Sequence, residues 1–142
     1  MSDEEVRSFL AEKMVMQCAT NGPRGMPHMV ALWFVADPLR SWTYAKSQKA
    51  RNLERDARAT LGFEEGVQYH ELRGLMLECD VVVERDPEKV EQFGLELFER
   101  YAGGLNDDIR AMVANQAQKR VGLTFVPTRT VSWDHRKLGG VY

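Results

Sequence analysis

The chain has 142 residues, of which 44% are apolar and 28% charged, with a formal net charge of −2. That length suits one domain, 1–142, with a real core, and the near-neutral balance argues against general binding to nucleic acid. No apolar run reaches membrane-span length, and the acidic start Ser2-Asp3-Glu4-Glu5 lacks the basic-then-apolar order of a secretory signal, so a cytoplasmic protein is expected.

Ser2 and Glu5 form a capping-box pattern, and Val6, Phe9, Leu10 and Met14 share one helical stripe, predicting a helix over about 3–13. Met14 to Thr20 reads as a strand, and Asn21-Gly22-Pro23-Arg24-Gly25 as a turn. His28 to Ala36 reads as one long apolar strand broken by Asp37-Pro38, and Ser41 to Ala45 as the next. The three are expected to form a meander.

A basic helix to about Asp56 follows, then a strand over Ala59 to Phe63. Leu72 to Glu84 reads as a longer strand, with Gly74 as a bulge or a site of close backbone approach. Asp86-Pro87 opens a helix with the stripe Val90, Phe93, Leu97 and Tyr101, since proline sits well at the first helical position. Gly103-Gly104 separates it from a helix over about 107–118. Val121 to Val126 is predicted as a strand, and Thr130 to Trp133 as another. Strands joined mainly by short turns predict a mainly β protein, an antiparallel barrel with inserted helices.

Cys18 and Cys79 match no metal or redox spacing and are expected as buried thiols in a reducing compartment. His28, His70 and His135 are widely separated, so no metal site is expected. No glycine-rich dinucleotide fingerprint, Walker loop or nucleophile elbow is present. The acidic stretch between Glu64 and Asp108 reads as a solvated face.

Positive charge concentrates locally at Lys46, Lys49, Arg51, Arg55 and Arg58, at a helix whose expected N-cap is Ser47. Free backbone N–H groups and cations at such a terminus suit a phosphate or polycarboxylate, although a plain solvated helix gives the same pattern. Trp33, Phe34, Trp42 and Tyr44 are barrel core and interface aromatics on one reading, and walls for a flat ring on the other.

Two segments carry a family resemblance. Gly22-Pro23-Arg24-Gly25-Met26-Pro27-His28 before an apolar strand, and Ala45 through Asp56, resemble the flavin/deazaflavin oxidoreductase superfamily with its pyridoxamine 5′-phosphate oxidase-like split β-barrel. Tyr69 with Leu72-Arg73-Gly74, Glu99-Arg100-Tyr101, Lys119-Arg120-Val121-Gly122 and the tail Trp133-Asp134-His135-Arg136-Lys137-Leu138-Gly139 resemble its actinobacterial, coenzyme F420-dependent B-type branch.

The resemblance implies a homodimer with cofactor sites at the subunit interface, and F420 as cofactor with FMN as the alternative. Met29, Val30, Ala31, Leu32 and Trp33, and the strand Thr43, Tyr44 and Ala45, would flank the ring. Lys49 and Arg51, then Lys46, Ser47 and Asn52, would hold the phosphate end, with Gln116 and Lys119 reaching in from the second subunit. The implied reaction is hydride transfer to an electron-poor double bond or quinone-like acceptor, with no obligatory catalytic side chain and a proton from solvent, Tyr44, Tyr69 or His28. A non-catalytic carrier of F420, or of heme ligated by His28 or His135, is the rival class on the same fold.

Overall fold

In the computed structural model, which describes residues 1–141, the chain runs α1 (Asp3–Glu12), β1 (Met16–Asn21), β2 (Pro27–Leu32), β3 (Val35–Ala36) and β4 (Leu39–Tyr44). It continues through α2 (Gln48–Arg55), β5 (Arg58–Glu65), β6 (Arg73–Glu84), α3 (Pro87–Ala102), α4 (Asp107–Ala117) and β7 (Arg120–Asp134). Short 3-10 turns lie at Tyr69–Glu71 and His135–Leu138. The strands form one antiparallel sheet in the order β2-β1-β5-β6-β7-β4-β3. Its two edges, β2 and β3, are separated in the chain only by Trp33 and Phe34. A two-residue link reaches only about 10 Å, so the sheet must curl until its edges face each other. The result is the expected barrel, left unbonded along one seam.

The local signals act where expected. The Ser2 hydroxyl accepts from the Glu5 N–H while the Glu5 carboxylate takes the Ser2 N–H, completing the capping box of α1. Phe9 of α1 then enters the barrel interior with Met16, Cys18, Phe34, Leu61, Phe63, Leu75, Leu77, Leu123 and Phe125. Each large apolar side chain contributes about 1.5–3 kcal/mol by leaving water. A second core lies outside the sheet, where Trp42 of β4 meets Val90 and Leu97 of α3 and Val113 and Ala117 of α4. Strand β4 is therefore buried on both faces, Thr43 inward and Trp42 outward.

Several expectations need correction. The apolar run from His28 to Ala36 is two strands on opposite edges of the sheet, because the backbone crosses the seam at Trp33-Phe34. The Phe34 N–H donates to the Tyr101 hydroxyl at 3.0 Å, and its carbonyl accepts from the Arg100 guanidinium. Side chains of α3 thus satisfy the backbone where the ladder stops. The meander also fails, since β4 pairs with β7 and β3 while β2 pairs with β1.

The two terminal strands are one, β7, bulged where the register shifts opposite Glu78/Cys79. Pro127, which cannot donate to a ladder, sits at that irregularity. Gly74 lies in continuous register with Trp133, so it is a close-approach site rather than a bulge. A Cβ there would strike the Trp133 ring and come within 2.9 Å of the Phe63 carbonyl.

Cys18 and Cys79 are buried free thiols, pushed up to about 11 and about 12 by burial. Among the described residues, no helix is long and apolar enough to cross a membrane. Nor do three or more His, Cys, Asp or Glu side chains gather as a metal-binding set there.

Candidate functional site

Where the curled sheet leaves its seam open, a groove of about 380 Å³ is lined by Ala31, Leu32 and Trp33 from one side. Ser41, Trp42 and Tyr44 of β4 line the other side, and Phe98, Met112 and Gln116 of the outer helices close it, with Arg120 at the start of β7. Trp42 and Tyr44 project to the same side of β4 because strand residues two apart share a face. Antiparallel register sets Arg120 directly opposite Tyr44 and Gly122 opposite Trp42. The Arg120 guanidinium accordingly lies 4.0 Å from the Tyr44 ring centroid and 4.6 Å from that of Trp42.

Trp33 is held from behind. Its ring stacks on Tyr101 at 4.3 Å and meets Phe98 edge-on at 5.9 Å. The Tyr101 hydroxyl donates to the Met14 carbonyl at 2.6 Å, and the Ser41 hydroxyl to the Trp33 carbonyl at 2.6 Å. Arg100 also donates to the Ala11 and Lys13 carbonyls, so Arg100 and Tyr101 together clamp the crossover that carries Trp33. Trp33 and Tyr44 nonetheless remain 47% and 49% exposed, leaving aromatic surface for a ligand.

The basic segment divides into two groups. Ser47 caps α2, its hydroxyl accepting from the Ala50 N–H at 3.1 Å. Lys49 is only 6% exposed and donates to Thr43 Oγ1 at 2.9 Å, and burial lowers its pKa below the usual 10.5. Asn52 is fully buried, donating to Thr20 Oγ1 at 3.0 Å and accepting from Gln48 at 2.8 Å. Lys49 and Asn52 thus dock α2 against β4 and β1. Lys46 and Arg51 are exposed, and no acidic partner is bonded to either among the described residues. Lys46 lies in the tight turn that the Ser47 N–H closes onto the Tyr44 carbonyl at 3.0 Å, immediately beside the groove.

Of the candidate ring-flanking residues, Ala31, Leu32, Trp33 and Tyr44 line the groove, and Gln116 joins them from this same chain. Met29 and Val30 lie earlier on β2, with Met29 65% exposed on the free edge. Ala45 contributes its N–H to the Lys119 carbonyl at 2.9 Å, and the Lys119 side chain is outside the groove lining.

Tyr44 alone of the named proton donors lines the groove. His28 faces a smaller hollow with Arg24 and Gln48, and Tyr69 lies beside His135, whose Nδ1 is 2.8 Å from the Tyr69 carbonyl. Arg120, Phe98 and Met112 were not among the predicted site residues. Arg120 had one signal, its place in Lys119-Arg120-Val121-Gly122, but only strand pairing brings it to Tyr44.

Similarity to known proteins follows the same architecture. A conserved hypothetical protein of Mycobacterium tuberculosis is 40% identical and aligns over 100% of this chain and 90% of its own, with TM-score 0.90. An F420 reductase is 26% identical, with 88% of this chain and 94% of that one covered and TM-score 0.71. The heme storage protein HutZ of Vibrio cholerae shares the fold at 21% identity, 93% coverage of each chain and TM-score 0.70. No curated protein matches. The family model described as pyridoxamine 5′-phosphate oxidase matches residues 2–134, from α1 to the end of β7, and the chain belongs to that family.

Proposed function

We propose that this protein is a coenzyme F420-dependent oxidoreductase, passing a hydride to an electron-poor double bond or quinone-like acceptor. The observation that carries the reading is the aromatic-walled seam groove, adjoining a turn whose exposed cation has no acidic partner among the described residues. At about 380 Å³ it falls within the usual range for a small-molecule site. Its flat walls fit a planar ring, and Lys46 with the nearby Arg51 fits a phosphodiester and glutamate tail. The 26% identity to an F420 reductase agrees with this choice of cofactor.

When bound, the deazaflavin would supply the hydride. The residues of this chain orient and shield. Trp33, fixed by Tyr101 and Phe98, sets one wall, and Trp42 and Tyr44 set the other. Lys46 and Arg51 bind the anionic tail, with Lys49 and Asn52 keeping α2 in place behind them. The Tyr44 hydroxyl is assigned the proton that completes reduction of the acceptor, since it lies within the groove. A second copy of the chain would cover Met29 on the unpaired edge of β2 and Met26 in the turn before it, an exposed apolar surface of the kind proteins normally protect.

The test is a fluorescence-quenching titration of the purified protein with oxidised F420, and with FMN in parallel. Tight F420 binding with weak FMN binding is expected. The reverse preference would move the protein to the flavin-dependent oxidases, and a Soret band on heme titration with neither flavin bound would replace the enzyme reading by a heme carrier.

A further inference from the structure

Four arginines of this chain are half-buried among the described residues, and three are matched to carboxylates or backbone carbonyls. Arg40 pairs with Glu96 through Nη1 at 3.3 Å, its buried Nε–H having no partner among the described residues, and Arg73 pairs with Glu65 at 2.8 Å and Glu12 at 3.2 Å. Arg100 donates to the carbonyls of Ala11, Lys13 and Phe34. Arg120 is the exception. Its Nε–H reaches Gln116 Oε1 at a long 3.4 Å, Tyr44 is a second polar neighbour, the Lys49 cation lies close enough to repel it, and no carboxylate pairs with it among the described residues. Burial also lowers its pKa, as expected for a cation partly removed from water without a counter-charge.

This guanidinium lines the seam groove and stacks on its Trp42–Tyr44 wall. Guanidinium is the cation best suited to such a place, because it is weakly hydrated, stacks on aromatic faces and offers a planar fork to an oxyanion. Resting on the functional reading above, we propose that Arg120 is the anion-recognising residue of the groove. It selects flat conjugated ligands that carry a negatively charged oxygen at the Arg120 end, with the planar part along Trp33, Trp42 and Tyr44. Two sources have this chemistry: the ionised hydroxydeazaflavin ring itself, or an acceptor whose electron-poor double bond is conjugated to a carboxylate.

The experiment compares cinnamate with its neutral isostere cinnamamide by calorimetry, using the wild-type protein and the Arg120→Gln and Arg120→Lys variants. Near-ultraviolet circular dichroism checks that each variant is folded. The wild type is expected to prefer cinnamate by about tenfold, the scale of one charge-assisted contact. Arg120→Gln is expected to bind the two compounds equally, and Arg120→Lys to retain part of the preference. A purely structural arginine, stacked to support Trp42 and Tyr44, would change both affinities together. Absence of discrimination in the wild type, or its persistence in Arg120→Gln, overturns the assignment.

Oxidised F420 supplies the second arm. Weakening by about tenfold or more in Arg120→Gln identifies the ring as the anion, whereas unchanged F420 affinity with lost cinnamate preference identifies the acceptor. Failure of the wild type to bind F420 or FMN would end the cofactor reading, while the cinnamate comparison would still decide the role of Arg120.

Discussion

Gly94, in the middle of α3, tests how the second core sets the groove wall. Helix-interior glycine is about 1 kcal/mol less favourable than alanine, so by propensity alone Gly94→Ala should stabilise the protein. The packing argues the opposite. A Cβ at this position would clash with Trp42 Cζ3, lie 2.6 Å from Trp42 Cη2 and lie 2.7 Å from Val113 Cγ1. Neither neighbour is a flexible end, since Trp42 is packed under α3 and Val113 is fully buried. Overpacking costs about 1–3 kcal/mol, and with all three nearest contacts under 3.0 Å against unyielding groups the upper part of that range, about 2–3 kcal/mol, applies, so the net loss should be about 1–2 kcal/mol after the propensity gain. For a chain of this size that is roughly 3–8 °C in Tm.

Urea unfolding followed by circular dichroism measures the loss directly. The same clash pushes Trp42 toward the groove, so F420 affinity should fall with stability. In a Trp42→Leu background the cost of Gly94→Ala should shrink, because most of the clash is with the ring. A Gly94→Ala protein as stable as the wild type, or more so, would refute the packing argument and leave Trp42 free to shift without consequence.

Three further outcomes are expected. Lys46→Ala with Arg51→Ala should weaken F420 binding by about tenfold or more without changing the unfolding midpoint, because both cations are exposed and have no bonded acidic partner among the described residues. Titration and urea melts of one sample check both halves. Lys49→Met should leave the fold at least as stable at neutral pH, because desolvating the ammonium costs more than its docking hydrogen bond to Thr43 contributes, while the methionine keeps the packing. With the folded pKa of Lys49 below its ordinary 10.5, the unfolded state holds the extra proton, so wild-type stability should rise between the two pKa values as pH increases, a slope the Met variant lacks. Asp134, whose carboxyl the Arg136 hydrogen bond holds down at about 2, should behave in the opposite sense. Its contribution is full above the ordinary value of 3.8 and is lost as pH falls through about 2, so Asp134→Asn should lower the urea midpoint near neutrality and converge with wild type in strong acid.

The sequence by itself determined the features that depend on near neighbours. The Ser2–Glu5 capping box, the Ser47 cap of α2 and Asp86-Pro87 at the start of α3 all sit where their local chemistry requires. Gly103 ends α3 in the left-handed conformation that its lack of Cβ permits. Strand-rich patterning with short turns led to the barrel class, and the aromatic residues and cations of the groove region were already conspicuous.

What only the tertiary structure decided involves partners far apart in the chain. An apolar run such as His28 to Ala36 carries no local mark of the point where it leaves one edge of the sheet for the other. That break exists because Arg100 and Tyr101, more than sixty residues later, take the backbone polar groups of Phe34. Lys49 and Arg51 are equivalent as sequence, two cations on one short helix, but the helix turns Lys49 toward Thr43 and Arg51 toward solvent. Arg120 becomes part of the groove through its register with Tyr44. Helix caps and turns are written in short-range sterics and hydrogen bonding. Edge choice, strand register and the fate of a buried charge depend instead on long-range pairing and desolvation, which come into being only when the sheet curls shut.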